Sequence, residues 1–119
     1  VTTRVLLIRH GETDWNAVGR WQGHAPVPLN EEGFTQSAQL GRYLAHNGFR
    51  IDVIYSSDLR RALQTAAAVA TPLNLPILTD ERLREVDLGH WQGLTRAEAQ
   101  AWDPERFAVF NADWYNNPT

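Results

Sequence analysis

Four consecutive apolar residues, Val5, Leu6, Leu7 and Ile8, run straight into Arg9, His10, Gly11 and Glu12. A continuous apolar run of this length predicts a strand buried on both faces, the kind found inside parallel sheets. Such a strand holds the residue at its end rigidly, and ligands of open α/β sheets bind beyond the carboxyl ends of strands. Here a histidine stands at that end. A permanent cation precedes it, and a glycine follows it that lets the backbone turn tightly.

The rest of the chain alternates in a way that suits such a sheet. Residues 12–29 hold Trp15, Gly19, Trp21, Gly23, Pro26 and Pro28 without periodicity, and are expected to form a long, ordered binding loop. Asn30-Glu31-Glu32 supplies an N-cap and two acids for a positive first turn. Phe34, Ala38, Gly41 and Leu44 or Ala45 then recur at helical spacing up to Gly48, which predicts a helix over residues 30–47. Residues 51–55 predict a second strand. Ser56-Ser57-Asp58 caps a helix striped by Leu59, Leu63, Ala66 and Ala70, expected to close before Pro72. Residues 76–79 predict an edge strand, because Pro76 suits only a strand start or edge. The fold class expected is α/β, three-layered, with a mostly parallel sheet flanked by helices and joined by right-handed crossovers.

Residues 82–94 mix charges, glycines and Trp91 and read as an active loop. Thr95 with Glu98 forms a capping box for a last helix. Residues 107–119 contain Trp114 and Tyr115 but end in Asn116-Asn117-Pro118-Thr119 with no closing element. Residues 1–119 are therefore expected to be the N-terminal part of one domain, truncated at its C-terminus, with a thin sheet.

Missing residue types narrow the chemistry. The chain has no cysteine, which excludes thiolate nucleophiles, disulfides and cysteine zinc sites. All eleven basic residues are arginine, so neither a P-loop lysine nor a Schiff base can form. Arginine instead offers a planar fork that grips phosphate or carboxylate bidentately. The net charge of −3 argues against nucleic-acid binding, so an anionic ligand needs a local arginine cluster. No apolar run is long enough to span a bilayer, no leader is evident, and a cytoplasmic location is expected. With no methionine, Val1 is not expected to be the translated start.

A second strand ending at Ser57, followed by a helix opening with Arg60 and Arg61, would bring guanidinium groups and free N–H donors to the rim where His10 sits. Neutral imidazole is a good nucleophile near pH 7, and arginines can neutralise the oxygens of a phosphoryl group in transfer. A carboxyl group would supply the leaving oxygen with its proton. Phosphoryl transfer through a phosphohistidine is the chemistry these residues suit.

The stretch LIRHGETDWN resembles the signature of the histidine phosphatase (phosphoglycerate mutase-like) superfamily. WQGHAPVPLNEEG, YSSDLRRALQTA and LREVDLGHWQGLT are similar to three further family blocks, in order. The resemblance implies that His10 accepts the phosphoryl group, that Arg9 and Arg61 bind phosphate, and that Glu85 donates the proton. Arg60 is then a helix-surface residue. Asn16, Gln22, Gly23 and Thr13 fall where family members touch phosphate or substrate. The implied fold is phosphoglycerate mutase-like, with no cofactor and no metal.

Two positions depart from the family pattern: Pro26 where relatives usually carry an acid, and Gln92 where they often carry glutamate. A second catalytic histidine, in an HG block after an apolar strand and preceded by Gly-Glu-Ser, is not found. His46 is expected on a helix surface, and His24 and His90 in loops, bordering substrate or serving structure. Trp102 and Trp114 are expected in the core, while Trp21 and Trp91 suit core or pocket equally.

The resemblance implies a metal-independent phosphomonoester hydrolase. A phosphoglycerate mutase-type phosphotransferase and an inactive phosphate-binding fragment are the alternatives. The implied partner is a small phosphorylated metabolite, with neither nucleic acid nor membrane. A homo-oligomer, or association with a missing C-terminal segment, stays open.

Overall fold

Asn30 starts the longest helix as its sequence predicts. In the computed structural model, which describes the backbone of residues 2–116 and side chains as far as Ala112, its carboxamide accepts from the Gly33 N–H. Because α1 (Asp14–Ala17) precedes it within the expected loop, this helix is α2 (Glu31–His46). Strand β1 (Ile54–Ser56), helix α3 (Arg60–Leu73) and strand β2 (Ile77–Thr79) follow as one βαβ unit. β1 and β2 are parallel, with Ile54 opposite Ile77, Tyr55 opposite Leu78 and Ser56 opposite Thr79. Helices α4 (Arg96–Trp102) and α5 (Pro104–Asn116) close the order. The architecture is the expected mixture of helices and parallel sheet, and α2 packs along α3.

Helix α3 continues past Pro72. The ring sits in the last turn against Gly41 of α2, so the missing N–H costs only one helical bond. Asn74, left-handed at φ 52°, closes the helix through its N–H to the Ala70 and Thr71 carbonyls.

Residues 107–116 lie within α5, a helix the pattern reading did not anticipate. Its signal was present: Pro104 takes the first helical position, and the Asp103 carboxylate accepts from the Arg106 N–H. Phe107 of α5 joins Trp91 and Ala99 in a buried cluster, with Trp21, Leu88, Leu94 and Phe110 against it. Trp21 stacks on Phe107 at 6.3 Å between ring centres, and Trp91 meets Phe110 edge-on at 5.1 Å. Trp21 and Trp91 therefore serve the core. Trp102 does not. It ends α4, is 56% exposed and lies beside the His90 ring. The side chains of Trp114 and Tyr115, and residues 117–119, lie outside the described part.

The largest departure is at the start. Residues 5–8 form no strand ladder among the described residues, and Val5 and Leu7 are 72% and 93% exposed. A strand buried on both faces needs a hydrogen-bonded neighbour and a layer on each side, and the two short strands here pair with each other. Among the described residues no helix is long and apolar enough to cross a membrane.

Candidate active site

Close backbone packing fixes the turn after His10. A Cβ on Gly11 would stand 2.5 Å from the Gly33 carbonyl oxygen, and one on Gly33 would stand 2.1 Å from that of Glu12. Both positions must be glycine for the loop to lie against the first turn of α2. The Gly11 N–H donates to Thr65 Oγ1 of α3 at 3.0 Å, and the Glu12 N–H to Gln36 Oε1 of α2 at 3.0 Å. Two helices thus clamp the residues that follow the histidine.

His10 is half-buried, and its Nδ1 lies 2.7 Å from the Gly11 carbonyl oxygen. A carbonyl only accepts, so Nδ1 carries the proton and the neutral ring keeps its lone pair on Nε2. Burial holds the imidazole below its usual pKa. The Gly11 hydrogen bond opposes that shift, the charges of Arg61 and Arg9 reinforce it, and Glu85 opposes it. Near pH 7 the lowered pKa favours the neutral ring, and among the described residues Nε2 has no hydrogen-bond partner, with two cations and a carboxylate near it.

Arg61 is the hub of the surrounding rim. It is 1% exposed, although it lies in the first turn of α3. Nη1 donates to the Ala25 carbonyl at 3.0 Å, and Nη2 to the Gly23 carbonyl at 2.7 Å and to Glu85 Oε2 at 2.8 Å. Its Nε is buried without a partner in the described residues. One guanidinium thus joins the tryptophan-rich loop to the loop that carries Glu85. Arg60 points outward and is exposed.

Glu85 is held from three directions. Its carboxylate meets Arg61, and its carbonyl accepts from His24 Nε2 at 2.7 Å. Its neighbour Arg84 grips Asp58 with two donors, Nε–Oδ1 at 2.6 Å and Nη2–Oδ2. That pair holds the Asp58 carboxyl below the usual range.

The other expected site residues form a second cluster. Thr13 is wholly buried and is the N-cap of α1, its oxygen accepting from the Asn16 N–H and its hydroxyl donating to Gln22 Oε1 at 2.6 Å. Asn16 Oδ1 accepts in return from the Thr13 N–H. In this arrangement Thr13 and Gln22 spend these groups on one another, and Thr13 presents no surface to a ligand. Gly23 is left-handed at φ 51°, and a Cβ there would meet Gln92 Oε1 at 2.8 Å. The structure therefore brings His10, Arg9, Arg61 and Glu85 into one electrostatic neighbourhood, joins Gly23 to it through Arg61, and sets Thr13, Asn16 and Gln22 into a separate hydrogen-bonded cluster. Arg9 is exposed.

Sequence reading passed over Thr65 and Asp58. Thr65 stands one helical turn after Arg61 and donates to its carbonyl at 2.9 Å, so the spacing was its signal. Asp58 was read only as part of a helix cap. Among the described residues no group of three or more acidic or histidine side chains could hold a metal ion.

Comparison with known proteins identifies the family. The family model described as "Histidine phosphatase superfamily (branch 1)" matches residues 5–119. The chain is 41% identical over 110 residues to phosphoglycerate mutase-like protein 4 of Arabidopsis thaliana, covering 92% of this chain and 47% of that protein. It is 42% identical over 101 residues to glucosyl-3-phosphoglycerate phosphatase of Mycolicibacterium vanbaalenii, covering 85% and 44%. The α-ribazole phosphatase structure from Shigella flexneri superposes with a TM-score of 0.81 at 34% identity, covering 90% of this chain and 52% of that one. The chain spans about half the length of the curated relatives it matches. With His10, the buried Arg61 and Glu85 in one electrostatic neighbourhood, and a family match over residues 5–119, the chain belongs to branch 1 of the histidine phosphatase superfamily.

Proposed function

We propose that the protein is a metal-independent phosphomonoester hydrolase working through a phosphohistidine at His10, with Glu85 as proton donor. The observation that carries the reading is the state of His10: Nδ1–H is committed to the Gly11 carbonyl and Nε2 is free, near Arg61, Arg9 and Glu85. Nε2 attacks phosphorus, the ester P–O bond breaks, and the leaving oxygen takes the Glu85 proton. The charges of Arg9 and of the buried Arg61 guanidinium offset the phosphoryl charge. An arriving dianion competes with Glu85 for Arg61. Water then attacks the phosphohistidine, Glu85 accepts its proton, and inorganic phosphate leaves with His10 restored.

Relatives named as phosphatases support hydrolysis, and one named mutase-like keeps transfer to a substrate hydroxyl as the rival. The exposed apolar residues 5–8 beside the nucleophile support a site completed by further polypeptide, such as the longer relatives carry, or by a second copy of the chain. An acid-labile phosphoryl label, present in the protein and lost in His10→Ala, is the expected result of trapping with a phosphate ester. Release of inorganic phosphate without an added acceptor selects hydrolase over mutase. Absence of label on His10 overturns both.

A further inference from the structure

We propose that His24 is a positioning residue for Glu85, its imidazole Nε2–H fixing the Glu85 carbonyl and so aiming the carboxyl at the leaving oxygen. The inference rests on the reading of Glu85 as the acid, and the experiment below separates the two. Glu85 stands in an exposed loop, and its carboxylate is nearly half exposed. Once an arriving phosphate competes for Arg61, the position of the Glu85 backbone sets where its carboxyl can reach, and a misplacement of about 1 Å can cost on the order of a hundredfold in rate.

The contact is specific in its chemistry. Nε2 lies 2.7 Å from the Glu85 carbonyl oxygen, an acceptor only, so Nε2 must carry hydrogen. Nδ1 faces the Asp87 carboxylate at 3.8 Å. The ring can donate through Nε2 whether neutral or protonated. The charged groups around it are Asp87 and Glu85 on its partner loop, Arg61 and Asp58 at the start of α3, and Arg84, which Asp58 engages.

His24 is itself fixed. Its backbone N–H donates to Gln92 Oε1 at 2.7 Å, and the carbonyls on either side of it, Gly23 and Ala25, are both held by Arg61. The imidazole therefore transmits the position of a buried arginine to an exposed loop. Gln92 completes the frame at the other end, which gives a local role to a position where the chain departs from the family pattern.

The test compares the unsubstituted protein, His24→Ala and His24→Gln on two esters, p-nitrophenyl phosphate and glycerol 2-phosphate. The first leaving group departs with little protonation; the second needs the acid. Expected in His24→Ala is a loss of about tenfold or more in kcat/KM for glycerol 2-phosphate, the quantity that reports formation of the phosphohistidine, a change within about twofold in kcat/KM for p-nitrophenyl phosphate, and recovery in His24→Gln, whose amide can donate. Equal losses on both esters, or no loss on either, overturn the proposal. If the unsubstituted protein cleaves neither ester, the proposed function fails on its own. The imidazole nitrogen signals of His24 then decide: hydrogen on Nε2 supports the contact, and a neutral ring with hydrogen on Nδ1 overturns it.

Discussion

Residues 5–8 and residues 22–25 have exchanged the environments their composition would assign them. The first are Val, Leu, Leu and Ile, with exposures from 43% to 93%. The second are Gln, Gly, His and Ala in a polar loop, yet Gln22 and Gly23 are buried. Apolar character favours burial only where a second surface exists to bury it, since the hydrophobic effect is proportional to area removed from water. Backbone carbonyls come indoors when a donor meets them, and Arg61 supplies donors to two of them. The loop is inside because one arginine satisfies it. The run is outside because no described element covers it.

The comparison is most exposed to failure at Arg61. Arg61→Ala removes the partner of two buried carbonyls and of Glu85, and should destabilise the chain by about 3–5 kcal/mol in urea unfolding. A cost under 1 kcal/mol would mean that the loop is held by something else. Gly23→Ala comes next. Left-handed backbone and the approach of Gln92 Oε1 together should cost about 1–3 kcal/mol, and pairing it with Gln92→Ala should recover part of that loss.

Acid should act at the same junction. The folded state lowers the pKa of His10, so between its ordinary value of roughly 6.5 and the lower folded value the unfolded chain binds more protons. Stability therefore falls as pH drops through that window, and His10→Gln should remove this portion of the loss. Asp58, lowered by Arg84, contributes a further loss only below the ordinary carboxylate range. A stability profile unchanged by His10→Gln would contradict the half-buried neutral ring.

The smallest effect belongs to the exposed run. Leu7→Gln should change stability by no more than about 0.5 kcal/mol, as for other exposed positions. A loss near 2 kcal/mol would show Leu7 covered in solution, and concentration dependence would identify a second copy as the cover.

Much of the architecture was legible because it is written in local chemistry. Asn30 and the two acids after it predicted the start of α2, and Thr95 the start of α4; both N-cap bonds form, while the Glu98 carboxylate goes to Arg20 and does not close the expected capping box. α5 was equally local in its Asp103-Pro104 start, a signal masked by the irregular composition of residues 107–119. Residues 5–8 failed for a different reason: an apolar run states a preference for burial, and pairing depends on neighbours that the run does not contain.

Sequence alone determined the family, and through its pattern singled out Arg61 rather than Arg60, the one of the pair that the fold buries. Only the tertiary structure decided how the site residues connect. It tied Glu85 to the hub of Arg61 and turned His24 from a loop residue into its tether. These roles depend on contacts between residues 24 to 68 positions apart, and no local propensity encodes which donor will meet which acceptor across such a distance.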